Sequence, residues 1–267
     1  MDSGMIKIGE GMLSKCFLAD ENTVLLVGKR EDSFESYQRT KENLENLRGK
    51  IKSVEIPRNP KLVAPCKEYP LGALYISRVR GEKLSSRIRT CTRGQKIAIG
   101  KKLAEFILEL QACRLPGDKA AVIKRVTESY AQGQEALQPY LSVNENKLIA
   151  QFAGKYKKFL HNSDFHTTHG DLFQENMFVN DRNELVSVID FDTEYFAAEI
   201  EFAPIYEYDK TIFGAAASNF KGKISIRNVK LALLARQVRF FRHAVTMDED
   251  TKQKELTRIK NMLETMS

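Results

Sequence analysis

The stretch at residues 166–192 most strongly constrains how this chain can fold, because it sets three oxygen-bearing side chains around a short hairpin. Asp171 closes a His-Gly-Asp tripeptide, and Asn176 follows five residues later. Residues 177–189 then predict two short strands joined by a polar turn. The second strand ends at Asp190, so the hairpin returns this carboxylate towards the other two side chains. Oxygen ligands of this kind suit Mg²⁺, which is usually held by one or two carboxylates together with substrate phosphates.

The first eighty residues predict a strand-rich segment with a single helix. Runs of β-branched and aliphatic residues bounded by Asp, Asn and Gly favour strands, and apolar residues at helical spacing favour a helix. The predicted strands lie at residues 5–9, 14–19, 23–27, 61–66 and 73–79, and the predicted helix lies at residues 35–48. The last two strands are expected to pair with each other, because a Pro-Leu-Gly turn separates them.

The pattern changes after Gly81, where helical periodicity replaces the strand pattern. The predicted helices lie at residues 96–113, 120–138, 146–161, 227–246 and 250–265. We therefore expect a small, strand-rich N-terminal lobe at residues 1–80 and a larger helical C-terminal lobe at residues 81–267. A short crossing near residues 78–82 would join them, and ligands often bind in such a cleft.

The composition predicts a chain that can bury a hydrophobic core, and its cysteines indicate a reducing compartment. Of the 267 residues, 42% are hydrophobic and 9% aromatic, which excludes a disordered chain. No stretch approaches about 18 uncharged apolar residues, so no transmembrane helix is expected, and the first residues carry no secretory pattern. The four cysteines are widely spaced without a C-x-x-C pair, which argues against a zinc site or a disulfide scaffold. We expect a cytoplasmic protein without a membrane partner.

The net charge of +7 and the pI of about 9.1 raise the question of a nucleic-acid partner. The basic residues are scattered, however, and no run of five or six of them and no nucleic-acid motif occurs. We therefore expect a solvated basic surface and no nucleic-acid partner, with phosphate-bearing ligands as a second use of the positive potential.

The motifs of this chain resemble those of the aminoglycoside phosphotransferase and choline kinase group, and homoserine kinases of the same fold are similar too. H-G-D-L-x-x-x-N at residues 169–176 and V-I-D-F at residues 188–191 carry the resemblance, with glycine where protein kinases have arginine. Weaker matches follow the family's order along nearly the whole chain, at residues 9–11, 75–84, 103–111 and 198–203. The resemblance implies an α+β, two-lobed protein-kinase-like fold. Its N-terminal lobe, residues 1–80, would contain a small antiparallel sheet and bind the nucleotide. Its larger helical C-terminal lobe, residues 81–267, would carry the catalytic loop and the acceptor site.

The resemblance also implies a role for each residue of the central motif. Asp171 would orient the acceptor hydroxyl and receive its proton. Asn176 and Asp190 would hold Mg²⁺ against the phosphates of ATP or GTP. Because phosphoryl transfer passes through a loose transition state, positioning and charge neutralisation supply most of the catalysis. The nucleotide-binding residues expected from the same resemblance are Gly9, Gly11, Ser14, Lys29, Glu42, Arg78 and Val79.

The chain departs from the family at the cation that contacts the phosphates. Alignment on the family's third strand places Leu26 where lysine is usual, and the nearest lysine is Lys29. Strand side chains alternate, so these two positions face opposite sides unless the strand bulges, which Gly28 would permit. We expect Lys29 to meet the phosphates, with Glu42 as its helix partner and Glu45 as the other option. Alternatively, Lys29 is solvated and another cation reaches the phosphates.

Residues 190–209 reverse the charge of the chain, with seven acidic side chains and no Lys or Arg. Six aromatic residues lie among them, and acidic groups beside aromatic faces suit a cationic acceptor. Amino sugars, choline and ethanolamine would qualify. The expected acceptor-binding residues are Asp192, Glu194, Glu199 and Tyr206. Alternatively, Glu201 and other acids have structural or surface roles, and two acids two positions apart cannot face the same way on a helix.

The sequence thus predicts a small-molecule kinase that transfers the γ-phosphoryl group of ATP or GTP to a hydroxyl of an amino-bearing acceptor, in the manner of an aminoglycoside phosphotransferase. A choline, ethanolamine or homoserine kinase is the alternative among enzymes. Leu26 favours a further alternative, a nucleotide-binding regulatory pseudokinase, against which the complete set of Asp171, Asn176 and Asp190 argues. A nucleic-acid-binding module comes third.

Overall fold

The computed structural model describes residues 5–11, 13–115, 117–191 and 194–266, with Glu194 described by its backbone alone. The chain forms two compact units. Unit 1 consists of Met1–Leu115, Thr167–Glu194 and Tyr208–Lys221, and unit 2 consists of Pro116–His166, Tyr195–Glu207 and Gly222–Ser267. The lobe boundary expected near residue 80 stays a prediction.

The strands and helices are defined as follows. The strands are β1 (Ile6–Glu10), β2 (Ser14–Asp20), β3 (Thr23–Gly28), β4 (Lys61–Val63), β5 (Ala73–Ser77), β6 (Glu82–Lys83), β7 (His166–Thr168), β8 (Met177–Val179), β9 (Leu185–Val188) and β10 (Glu194–Phe196). The helices are α1 (Ser33–Leu47), α2 (Leu84–Arg87), α3 (Arg93–Ala112), α4 (Lys119–Leu137), α5 (Val143–Asn162), α6 (Ala198–Tyr208), α7 (Lys210–Asn219), α8 (Ile226–Ala244) and α9 (Glu249–Met266).

An antiparallel five-stranded sheet in the order β1-β2-β3-β5-β4 begins unit 1. The alternation of its side chains produces one buried face, where Leu25, Val27 and Ala73 form a core cluster against Phe17 and Tyr75. The helix α1 packs on β4 and β5. The five strands and the helix predicted in this region are confirmed, although β4 is shorter than expected.

The rest of unit 1 consists of a three-stranded sheet in the order β6-β8-β9 and the packed helices α3 and α7. Thr92 begins α3 with a capping box, in which its hydroxyl and the side chain of Gln95 satisfy each other's backbone N–H groups. Asp209 caps α7 by accepting from the N–H groups of Thr211 and Ile212. Gly100 permits the close approach of the two helices, because a Cβ there would lie 2.4 Å from the carbonyl oxygen of Ile212.

Unit 2 is helical, with α8 packed against α4, α5 and α9. Asp118 caps α4, Ser142 begins α5 with a capping box, and Ser225 caps α8. A Cβ at Gly133 would lie 2.0 Å from the carbonyl oxygen of Val238, so this glycine sets the distance between α4 and α8. The helices predicted in this unit are confirmed. Among the described residues, no helix combines the length and apolarity needed to cross a membrane.

Candidate active site

The loop between β7 and β8 holds Asp171 and Asn176 in direct contact. The side-chain amide of Asn176 donates to Oδ2 of Asp171 at 2.9 Å and to its carbonyl oxygen at 3.0 Å. Two backbone hydrogen bonds tighten the same turn, from Phe173 to Asp171 and from Asn176 to Phe173. The carboxylate of the predicted base is thus fixed by the amide of a predicted metal ligand.

The hairpin of β8 and β9 returns Asp190 to this loop, as the sequence predicts. The N–H group of Ile189 donates to the carbonyl oxygen of Asn176 at 2.9 Å, which places the two predicted metal ligands on adjoining segments. Asp190 is exposed and has a φ of +67°, in the left-handed region that non-glycine residues rarely adopt. Aspartate and asparagine tolerate this conformation better than other residues with a side chain. The positive φ turns the chain as it leaves β9.

His169 links the two segments from within the core. It is fully buried, its Nε2 lies 2.9 Å from the carbonyl oxygen of Ile189, and its Nδ1 accepts from the N–H group of Asp171. This arrangement requires the neutral tautomer with the proton on Nε2. Its ring contacts the ring of Phe191, with centroids 4.7 Å apart. His169 therefore ties the loop that carries Asp171 to the segment that follows β9.

The donor set fits Mg²⁺. The amide nitrogen of Asn176 is committed to Asp171, so its Oδ1 is the atom that can bind a cation, and Asp190 offers a carboxylate. No cluster of three or more His, Cys, Asp or Glu side chains suited to a metal occurs within the described ranges. An ion bound here would therefore depend on substrate phosphates for several ligands, which is how Mg²⁺ is usually held.

The predicted nucleotide loop joins β1 and β2. Gly9 lies opposite Cys16 in the sheet, and the N–H group of Gly11 donates to the carbonyl oxygen of Ser14 at 2.8 Å. The hydroxyl of Tyr37 donates to Oγ of Ser14 at 2.7 Å, and burial raises the pKa of Tyr37 to about 12. The helix α1 therefore anchors the strand that follows the loop.

The sheet face opposite the core cluster is apolar. Cys16, Leu26 and Leu74 lie side by side on it across β2, β3 and β5. Leu74 is fully buried, whereas Cys16 and Leu26 are partly exposed. Burial raises the pKa of the Cys16 thiol, and the charge of Asp190 raises it further. The position where the resemblance places lysine is thus an apolar part of the sheet.

The prediction of a bulge at Gly28 is wrong. The pairing of β2 with β3 continues without a shift from Leu18–Val24 to Ser14–Gly28, and Gly28 has no positive φ. A Cβ at Gly28 would instead lie 2.5 Å from the carbonyl oxygen of Leu71, so glycine is needed there for a close approach.

Lys29 reaches the nucleotide loop by another route, because it begins the segment after β3. Its Nζ lies 2.5 Å from Oε1 of Glu10 and 3.1 Å from the carbonyl oxygen of Gly11. The structure therefore pairs Lys29 with Glu10 and not with Glu42 or Glu45. Glu42 is exposed on α1, and Glu45 pairs with Lys41.

Arg78 and Val79 follow β5, where the resemblance places the hinge. The N–H group of Arg78 donates to the carbonyl oxygen of Asn22 at 2.7 Å, which ties this segment to the turn between β2 and β3. Arg78 is exposed and Val79 is partly buried. Their contact with a nucleotide stays a prediction.

The predicted acceptor residues are described in part. Asp192 and the side chain of Glu194 lie outside the described residues. In unit 2, Glu199 accepts from the side-chain amide of Asn228 at 3.4 Å, and Tyr206 is partly buried. Glu201, two positions after Glu199, is only 1% exposed, so the two acids face different ways as expected.

Two further acids of this stretch have structural contacts, in agreement with the alternative stated above. Glu207 pairs with Arg258 and accepts from Gln237 in unit 2. Asp209 pairs with Lys96 at 2.8 Å in unit 1. Burial works to raise the pKa of Asp209, but the hydrogen bond from Lys96 and the N–H groups at the start of α7 outweigh it, so this pKa lies below its ordinary value.

Two contacts of the site carry no clear signal in the sequence. Asn43 of α1 donates to the carbonyl oxygen of Phe191 at 3.4 Å, directly after Asp190. Glu10 of the nucleotide loop contacts both Lys29 and Lys7. The contacts of Asn43 with Phe191 and of Glu10 with Lys29 join residues that are far apart in the sequence.

The family is decided by the match of the sequence to a family model. The model of the phosphotransferase enzyme family matches residues 7–196, which include the nucleotide loop, Asp171, Asn176 and Asp190. The chain belongs to the phosphotransferase enzyme family. The expected family and the kinase activity it implies are thereby confirmed. Comparison of this phosphotransferase with curated proteins gives no match.

Solved structures of similar fold agree with this assignment. The GDP and kanamycin complex of APH(2″)-IIIa has a TM-score of 0.82 and 17% identity, with 99% of this chain and 94% of that chain covered. ADP-bound aminoglycoside phosphotransferase APH(2″)-Ib has a TM-score of 0.73 and 17% identity, with 98% and 94% covered. Choline kinase LicA from Streptococcus pneumoniae has a TM-score of 0.67 and 14% identity, with 98% and 93% covered. The predicted protein-kinase-like fold of this phosphotransferase is confirmed.

Proposed function

We propose that this phosphotransferase transfers the γ-phosphoryl group of ATP or GTP, with Mg²⁺, to a hydroxyl of a cationic, amino-bearing small molecule. The observation that carries the proposal is the contact between Asp171 and Asn176, with Asp190 on the adjoining segment. A base, an amide oxygen and a second carboxylate are the groups that phosphoryl transfer to an alcohol requires.

Asp171 is the group that receives the proton. As the acceptor oxygen forms its bond to the γ-phosphorus, the bond from that phosphorus to the bridging oxygen breaks and the nucleoside diphosphate leaves. Asp171 takes the hydroxyl proton during this step. The hydrogen bond from Asn176 to Oδ2 holds the carboxylate in one orientation.

Asn176 Oδ1 and Asp190 would hold Mg²⁺, which supplies charge neutralisation at the phosphates. Lys29 adds a positive charge beside the nucleotide loop. The partly exposed apolar face that contains Cys16 and Leu26 suits the flat surface of a purine base, because such a surface loses little by leaving water.

The acceptor is proposed to be cationic because residues 190–209 carry seven acidic side chains and no Lys or Arg. Structural contacts engage Glu207 and Asp209. The proposed acceptor-binding residues are Asp192, Glu194, Glu199 and Tyr206. Among the similar folds, one structure contains kanamycin, and this supports amino sugars as the first acceptor class to test.

The direct test is a panel of acceptors assayed with Mg²⁺ and either ATP or GTP. Acceptor-dependent release of nucleoside diphosphate is expected with kanamycin or another amino sugar and is expected to disappear in Asp171→Asn. Phosphorylation of neutral sugars or alcohols alone would contradict the cationic acceptor. Bound nucleotide without transfer to any acceptor would contradict the kinase.

A choline-type amino alcohol is the second candidate, favoured by the similarity of the fold to choline kinase LicA. Choline, ethanolamine and homoserine therefore belong in the same panel. A kcat/KM for one of them that exceeds the value for every amino sugar would select this candidate.

A further inference from the structure

Glu10 lies between two ammonium groups at the edge of the nucleotide loop. Its Oε1 lies 2.5 Å from Nζ of Lys29, and its Oε2 lies 2.5 Å from Nζ of Lys7. The hydrogen bond from Lys29, followed by that from Lys7, lowers the pKa of Glu10 to about 2. The carboxylate is therefore ionised at neutral pH.

The same contacts engage Lys29 with the loop itself. Its ammonium group donates to Glu10 and to the carbonyl oxygen of Gly11, so an acid at the edge of the loop already offsets part of its charge. A polyphosphate that approaches Lys29 therefore also approaches the negatively charged carboxylate of Glu10. Like charges repel, so the two anions compete for Lys29.

We propose that Glu10 is a specificity-determining residue, an internal competitor that polyphosphates must displace from Lys29. The inference rests on the proposed function, because it requires a nucleotide in this site. Solvent-exposed ion pairs are weak, and the side chains of Glu10 and Lys29 are 36% and 29% exposed. A magnesium triphosphate therefore displaces Glu10, whereas an uncharged nucleoside has no group with which to do so.

Glu10→Gln tests this idea directly, since it keeps the size of the side chain and removes the charge. We expect the dissociation constant for Mg-ATP to fall about three- to tenfold, which corresponds to roughly 1 kcal/mol. The dissociation constant for adenosine should not change. Glu21→Gln, at an exposed acid in the turn between β2 and β3, is the matched control and should alter neither.

Two lysine variants separate competition from a purely structural role of Glu10. In a Lys29→Met background, Glu10→Gln should no longer tighten the binding of Mg-ATP, because the ammonium group for which Glu10 and the phosphates compete is absent. Lys7→Met should weaken Mg-ATP, since Glu10 would then neutralise Lys29 alone. If Glu10 only ordered the loop, Glu10→Gln would instead weaken the binding of Mg-ATP, whether or not Lys29 is present.

The outcomes distinguish this inference from the proposed function. If the wild-type protein binds Mg-ATP and Glu10→Gln binds it equally or more weakly, the inference is overturned. The proposed kinase function would not be affected by that result. Wild-type protein that binds no nucleotide would overturn both. An equal tightening of adenosine and Mg-ATP would also overturn the inference, because the competition acts on phosphates.

Discussion

Asn176 donates its side-chain amide to the carboxylate of Asp171 across 2.9 Å, and this single bond joins the two halves of the proposed chemistry. One residue is the proposed base and the other a proposed metal ligand. Because the amide nitrogen is used here, the orientation of its oxygen is fixed as well. The bond therefore sets both the direction of the base and the atom offered to the cation.

Asp171→Asn should lower turnover at least about a hundredfold, because the replacement cannot accept the hydroxyl proton. The amide oxygen still accepts from Asn176, so the fold and the affinity for nucleotide should be retained. Steady-state rates and nucleotide titrations measure the two effects. Asp181→Asn, at an exposed acid in the turn of the hairpin, is the control and should retain full activity. Turnover near the wild-type value would remove Asp171 from the role of base.

Asp190→Asn should abolish the stabilisation that Mg²⁺ adds to bound ATP. Asparagine tolerates the positive φ, so the variant tests the charge and not the backbone. A ligand at a hundred times its dissociation constant stabilises the folded state by about 2.7 kcal/mol. Thermal shifts with ATP in the presence and absence of Mg²⁺ measure this contribution. A magnesium-dependent shift equal to that of the wild type would place the ion elsewhere.

Gly100→Ala should destabilise unit 1 by about 1–3 kcal/mol, since the new methyl group would overlap the carbonyl oxygen of Ile212 and force α3 and α7 apart. Gly214→Ala in α7 is the matched control. Nothing lies within 4 Å of a Cβ there, so helix propensity should stabilise the protein by about 0.5–1 kcal/mol. Melting temperatures of the two variants should move in opposite directions, and a parallel shift would refute the packing argument.

Asp209→Asn should destabilise the protein by roughly 1.5–3 kcal/mol at neutral pH, because it removes the charged partner of Lys96. Asparagine still caps α7, so the helix start is preserved. The folded-state pKa of Asp209 lies below its ordinary value of 3.8. Its contribution is therefore complete above that value and is lost as the pH falls through the folded pKa.

Denaturant titrations from pH 7 to pH 3 measure this dependence. The difference in stability between the wild type and Asp209→Asn should be constant down to about pH 5 and shrink below pH 4. A difference that grew on acidification would contradict the assignment of the ion pair.

The sequence predicted which of the proposed site residues lie together where these residues are local. Asp171 and Asn176 are five residues apart, and Asp190 returns through a hairpin whose strands have clear patterns. The orientation of the side chains along β3 was also predictable, because alternation places Leu26 on the face opposite Leu25 and Val27.

The sequence did not predict contacts between distant segments or the short helices. The partner of Lys29 was expected on α1 by resemblance, but the end of β3 lies beside the loop that carries Glu10. The helix α6 contains Pro204, and α7 is only ten residues long, so neither has a distinctive pattern. The structural pairing of Asp209 with Lys96 likewise depends on tertiary packing.

The division of unit 1 into three chain segments has a consequence for synthesis on the ribosome. The five-stranded sheet is complete once Ser77 has emerged, whereas β6 must wait for β8 and β9, roughly a hundred residues later. At about 5–20 residues per second, that interval lasts roughly 5–20 s. During this interval the nascent chain presents the proposed nucleotide loop without the residues proposed to hold Mg²⁺. The growing polypeptide therefore contains the proposed nucleotide-binding residues of the sheet before the residues proposed for phosphoryl transfer.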